Sequence, residues 1–236
     1  MSTALATMTA MAQEANPARR TAAARTGHDD REVREAILTA TRRLLDERRF
    51  DELSVADILT AAGVARGSFY FYFAGKHQVL AELTRRAVSR GQTAAEPWLA
   101  ATDDPRETIR HGISEGAKLW RAEAPVLRAV VENWRSDEEL GELWLSLMGA
   151  FTGATAERIA ADQGADAGAD ASASTDAGAN TDTGANTEHL AAALTWLGER
   201  LYYLAAIGVE PFDDEDALVD VLTHIWMSVL HPPGHR

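Results

Sequence analysis

Residues 63–80 read GVARGSFYFYFAGKHQVL, and the fold turns on this stretch. Gly63 ends a short apolar run, Val55 to Ala62, that is preceded by Ser54 and contains Asp57. Ser with Asp three residues later, ahead of apolar residues, is a capping-box-like helix start. Gly suits the left-handed position where one helix ends and the next leaves at a steep angle. The following helix is predicted from Arg66 to about Phe73 and contains five consecutive aromatics, Phe69 to Phe73. At helical period Phe69 and Phe73 share a face and can pack inward, while Tyr70 and Tyr72 present their hydroxyls elsewhere. Two short helices meeting at a glycine, the second opened by Arg66, make helix-turn-helix geometry, in which the second helix meets base edges in the major groove. Lys76 opens a further helix, where it can meet a phosphate alongside that helix's own amides. The plainer reading of the same residues is an aromatic-rich core helix.

Outward from this stretch the chain reads as helix almost throughout. Ile37, Thr41, Leu44 and Leu45 form one face of a first helix, closed by Phe50. A fourth helix starts near Lys76 and ends before Pro97. Asp103-Asp104-Pro105 is a good helix start, with proline pre-set for the first turn. Pro125 starts another segment, and Ser136 with Glu139 opens a longer one that places Leu140, Leu143, Trp144, Leu147, Met148 and Phe151 on one face. Residues 162–187 contain none but Asp, Gln, Gly, Ala, Ser, Thr and Asn and are predicted to be a low-complexity linker unable to bury a core. Helices then resume over about 188–208 and 213–231. The expectation is an all-α chain of about nine helices. Residues 1–28 form a disordered tail with a basic end, 29–75 a helix-turn-helix domain, and 76–236 a helical ligand-binding and dimerisation domain.

The chain has 236 residues and no cysteine, which rules out disulfide scaffolds, thiolate metal sites and Cys nucleophiles. Its lack of thiols fits a cytoplasmic location. No run approaches the roughly 18 apolar residues of a membrane helix. The formal net charge of −13 argues at first against a nucleic-acid partner, but residues 1–90 carry a net +3 and residues 91–236 a net −16. A basic end on an acidic body is the asymmetry of a nucleic-acid reader on a carrier.

The pattern Tyr70-x-Tyr72-Phe73-x-x-Lys76-x-x-x-Leu80, with the Ser54 start and the preceding helix, resembles the signature of TetR-family transcriptional regulators over about residues 33–90. The resemblance implies a dimeric, DNA-reading regulator, in most members a repressor. By matching position it implies Ser54, Val55, Arg66, Gly67, Ser68, Tyr70, Tyr72 and Lys76 as DNA-binding residues. One departure is Ala65, where the family often has Ser; it removes a side-chain cap typically worth ~1 kcal/mol. The second half is similar to the EthR-like branch of that family, through Glu142-Leu143-Trp144 with Met148, Gly198-Glu199-Arg200 and His224-Ile225-Trp226. That likeness implies an apolar pocket lined by Trp120, Trp144, Met148, Phe151, Gly198, Glu199, Tyr202, Tyr203 and Trp226. Gly116 and Ala154 are small where that branch carries aromatics, so a pocket of different shape is expected.

The partners so implied are double-stranded operator DNA, a hydrophobic small-molecule effector, and a second copy of the chain. The last would pair through helices near 188–208 and 213–231, which carry apolar stripes (Leu190, Leu194, Leu197, Leu201; Leu218, Leu222, Ile225, Val229). No cofactor or metal is implied. The linker aspartates lack EF-hand spacing, and the seven histidines show no paired ligand pattern. Gly112-Ile113-Ser114-Glu115-Gly116 matches the G-x-S-x-G nucleophile elbow, but that motif needs a strand before it, and helical sequence flanks it here. No catalysis is expected. The alternative is a helical small-molecule-binding or protein-interaction protein without sequence-specific DNA binding.

Overall fold

A computed structural model describes the backbone of residues 17–95, 104–170 and 181–230, and the side chains of 31–90, 104–161 and 187–230. Among the described residues there are nine α-helices and no strand: α1 (Pro17–Glu47), α2 (Val55–Ala62), α3 (Arg66–Tyr72), α4 (Lys76–Ala95), α5 (Pro105–Ala122), α6 (Ala124–Asn133), α7 (Glu138–Asp170), α8 (Thr181–Ala206) and α9 (Glu215–Leu230).

The turns follow from local chemistry. At α2 the Ser54 hydroxyl accepts from the Asp57 amide while the Asp57 carboxylate accepts from the Ser54 amide, 2.8 Å away, so the capping box closes. Gly63 sits at φ 66°, the left-handed region that a side chain would strain. Ala65 caps α3 with no side-chain hydrogen bond. Asp104 caps α5 with Pro105 at the first turn. At α7 the cap is Asp137, whose carboxylate accepts from the Leu140 amide at 3.0 Å. The expected Ser136 donates its hydroxyl back to the Asn133 carbonyl instead, closing the preceding 3-10 turn.

Two expectations are corrected. The tail predicted over 1–28 is helical from Pro17, whose ring suits a first turn and is followed by an Ala- and Arg-rich run of high helix propensity. Residues 1–16 lie outside the described residues. The linker predicted over 162–187 is helical over 162–170 and 181–187, because α7 and α8 run into it from both ends. A helix already nucleated by packing is extended cheaply through alanines. Residues 171–180 lie outside the described residues.

The helix-turn-helix is not a separate bead. Ile37, Leu45, Phe50, Ile58, Phe69, Phe73 and Leu80 belong to the same apolar cluster as Trp120, Leu127, Val130, Leu140, Trp144 and Met148. The helix α4 joins the two parts, packing on α1 on one side and on α5, α6 and α7 on the other. A second cluster, with Ile109, Ile113, Leu201, Leu218 and Leu222, holds α5, α8 and α9 together. The G-x-S-x-G match lies in the middle of α5, so Ser114 has no strand-to-helix elbow.

Candidate nucleic-acid interface and effector region

The helix α3 is short, and its two sides are sharply different. Phe69 is fully buried and Phe73 nearly so. Arg66, Gly67, Tyr70 and Phe71 face solvent. The Arg66 guanidinium lies over the Tyr70 ring, 5.6 Å from its centroid. Ser54, at the start of α2, is exposed, but its hydroxyl is engaged with Asp57. Val55, Ser68 and Tyr72 are half-buried, and both Val55 and Tyr72 pack against the core. Of the eight residues expected to bind DNA, then, Arg66, Gly67 and Tyr70 stand together on one open face. Phe71 stands with them and was not singled out from the sequence. Its signal was there: two residues from Phe69 at about 100° each places it on the opposite side.

Lys76 is differently engaged from the expectation. Its ammonium donates to the carbonyls of Leu53 at 2.7 Å, Phe50 at 2.9 Å and Asp51 at 3.3 Å, and lies 4.6 Å from the Phe50 ring centroid. Three donors therefore meet three carbonyls of the loop before α2, and burial pulls the lysine below its ordinary range. In this structure Lys76 clamps the α1–α2 loop to the start of α4.

Charged pairs tie this part to the body. Glu123, buried at the α5–α6 corner, accepts from Arg42 of α1 and from Arg90 of α4, the latter at 2.6 Å. Arg86 of α4 makes a two-pronged bond to Glu35 of α1 at 2.6 and 2.7 Å and also binds Glu82; these partners hold Arg86 above its ordinary range and Glu35 below it. Glu132, at the end of α6, faces both ways. One carboxylate oxygen accepts from the Tyr203 hydroxyl of α8 at 3.0 Å, and the other lies 3.6 Å from the Arg49 guanidinium in the α1–α2 connection.

The residues expected around an effector do not share one open cavity. Trp120, Trp144 and Met148 are buried, as are Gly198 and Glu199. Tyr202, Tyr203 and Trp226 are half-buried, and Phe151 is exposed because the buried stripe of α7 continues through Thr155 and Ile159 instead. Tyr202 explains the closure. Its ring stacks beside Trp120 (centroids 6.3 Å, 29°), and its hydroxyl donates to the Ile113 carbonyl at 2.9 Å. A Cβ at Gly116 would sit 2.7 Å from that hydroxyl. The tyrosine therefore fills the space that Gly116 leaves. A cavity of about 230 Å³ lies beside this plug, lined by Trp120, Tyr202 and Phe212, and a separate open groove of about 830 Å³ lies between α7 and α8, floored by Met148, Gly149 and Gly153. Some polar atoms inside the helical body lack partners. Trp144 Nε1 and Thr195 Oγ1 are buried with no hydrogen bond. Glu199, buried on α8, is held above the ordinary carboxyl range by burial, opposed weakly by the Arg200 charge.

A helix-turn-helix packed on a helical body with an apolar, partly polar interior defines a class of DNA-binding regulator. Comparison with known proteins agrees. Residues 37–83 match the model of bacterial regulatory proteins of the tetR family, and residues 109–231 match the C-terminal domain of the transcriptional regulator EthR. The chain is 33% identical over 228 residues to the HTH-type transcriptional regulator EthR of Mycolicibacterium smegmatis, covering 95% of this chain and 96% of that protein. It is 32% identical over 225 residues to EthR of Mycobacterium tuberculosis, covering 94% and 97%. A TetR-like transcriptional regulator from Rhodococcus sp. RHA1 shares the fold (TM-score 0.57, 17% identity, 85% of this chain and 95% of that one). The chain belongs to the TetR family of helix-turn-helix transcriptional regulators, with an EthR-type C-terminal domain. The alternative of a helical binding protein that does not read DNA is not favoured.

Proposed function

We propose that this regulator is a ligand-released repressor. A homodimer holds a palindromic operator through the open face of α3, and a hydrophobic effector entering the α5–α7–α8 body weakens that grip. The observation that carries the reading is continuity: Phe69 and Phe73, the inner side of α3, sit in the same packed cluster as Trp120, Trp144 and Met148. Packed interiors shift between discrete arrangements rather than yielding smoothly, so a ligand that displaces the Tyr202 plug moves what is packed behind it. The partnerless Trp144 Nε1 and Thr195 Oγ1 support a bound molecule within the body, since buried polar atoms are nearly always satisfied. The bridge Tyr203–Glu132–Arg49 supplies a second connection, from α8 to the loop before α2.

Dimerisation through α8 and α9 is supported by Trp196, Val221 and Val229, large apolar groups left exposed on those helices. Two-fold symmetry would set the recognition helices about 34 Å apart, one helical turn of DNA. A small rotation of each arm then spoils the fit. The ligand changes operator affinity only by its differential affinity for the two states.

Selection of duplexes from a random pool by the full-length protein, followed by salt titration, tests the DNA reading. An enriched palindrome, bound more weakly as salt rises, is expected. A folded, dimeric protein that enriches nothing overturns it. Decanol titrated into the protein–duplex complex tests the effector class: release from DNA is expected, with a weaker response in Tyr203→Phe.

A further inference from the structure

Phe71 is the most exposed of the large apolar side chains among the described residues, with 75% of its surface open. Its surroundings brace it on one side and leave the other clear. The Tyr72 ring meets it edge-on, with centroids 4.9 Å apart and planes at 86°. One turn earlier on the same face is Gly67, and apart from its chain neighbours and the helix's own backbone no atom lies within 4 Å of where a Cβ would stand there. The ring therefore projects beside a gap at Gly67, between the Arg66 and Tyr70 side chains, where a second surface can approach the helix backbone closely.

The chemistry of α3 narrows what that surface is. Between Arg66 and Tyr72 the helix has one charged group, Arg66, and no Asn, Gln, Asp or Glu. It therefore lacks the amide and carboxylate side chains that pair with adenine or cytosine edges, and its only neutral polar groups are the hydroxyls of Ser68, Tyr70 and Tyr72. Arg66 can read guanine. The apolar group displayed on the floor of the major groove is the C5 methyl of thymine. We propose that Phe71 is a specificity-determining residue that reads a thymine methyl in each operator half-site. Arg66 and Phe71 are five residues apart, about 7.5 Å along the helix axis. The methyl it reads therefore lies within about two or three base pairs of the guanine contacted by Arg66. This inference rests on the proposed DNA-binding face of α3.

The test uses duplexes selected by the full-length protein. Each thymine of the winning duplex is replaced in turn by deoxyuridine, which removes the methyl and leaves base pairing unchanged. One position per half-site should lower wild-type affinity about 4-fold, the worth of one buried methyl-sized group. Phe71→Ala should bind the parent duplex more weakly and be indifferent to the same replacement. Phe71→Leu should recover part of the sensitivity. Since the ring is exposed, the thermal unfolding of Phe71→Ala should match wild type, so a loss of binding is not a loss of fold. A selected palindrome insensitive to every deoxyuridine replacement overturns the inference and leaves the regulator reading standing. So does a Phe71→Ala protein that retains the full penalty. Failure to select any duplex overturns the DNA-binding face of α3 and this inference with it.

Discussion

The helices α3 and α8 both carry neighbouring aromatics and dispose of them by different rules. In α3 and at its C-cap Phe73, the alternation of Phe69, Phe71 and Phe73 sends the first and third into the core and the second to solvent. In α8 the adjacent Tyr202 and Tyr203 are sorted by their partners. Tyr202 runs to the Ile113 carbonyl of α5 over the bare backbone of Gly116, and Tyr203 runs to Glu132 of α6. Position within a helix decides the first case. Vacancies and acceptors on helices far away in sequence decide the second.

The strongest way to break this contrast is Phe69→Ala. The side chain is fully buried in the cluster that unites the two parts, and removing it should cost about 3–5 kcal/mol. Phe71→Ala, two residues away, should stay within about 0.5 kcal/mol of wild type. Denaturant unfolding of both variants checks this. Equal losses would mean that the phase of α3 is misplaced.

Lys76→Met sharpens the contrast at the next level. The ammonium satisfies three carbonyls between Phe50 and Leu53, and its removal leaves them without that donor. A loss of about 1–3 kcal/mol in stability is expected. The salt dependence of operator binding should keep its slope. A phosphate contact made by Lys76 would instead lower the slope by about 1 while sparing stability.

What was legible in the sequence follows the same division. The Ser54–Asp57 box, the Gly63 turn, the Asp104–Pro105 start and the inward Phe69–Phe73 pair all rest on residues within four positions of one another, and all could be read directly. The residues that the resemblance implies for an effector pocket were legible as an aromatic-rich set but not as a shape. Whether they enclose a cavity depends on Tyr202 occupying the space at Gly116, 86 positions away, and no spacing rule reports that. Phe151 falls on the expected apolar stripe but is exposed, because a stripe at 3- and 4-residue steps has two continuations after Met148. The structure takes the one through Thr155 and Ile159. Composition misled over 162–187 in a different way. Low complexity measures the lack of core-forming side chains, whereas alanine between two packed helices keeps helical backbone favourable.

The smallest expected effect tests the α8 side of the comparison through pH. Burial holds the Glu199 carboxyl above its ordinary value of 4.5, with no compensating hydrogen bond. The folded chain therefore keeps this proton at pH values where the unfolded chain has released it. Unfolding then releases a proton, so this group makes stability fall as pH rises from about 4.5 through the folded-state pKa. Glu199→Gln has no proton to release and preserves size and polarity. Thermal unfolding should give nearly equal midpoints for variant and wild type at pH 4. The variant should gain as pH rises, by about 1.4 kcal/mol for each pH unit of displacement, and the difference should level off above the folded-state pKa. A difference that stays flat with pH would mean that Glu199 has the same pKa in the folded and unfolded chain, so that burial does not hold its proton. Its carboxyl would then be solvated in the folded chain, and the dry interior proposed to receive a hydrophobic effector would not reach Glu199.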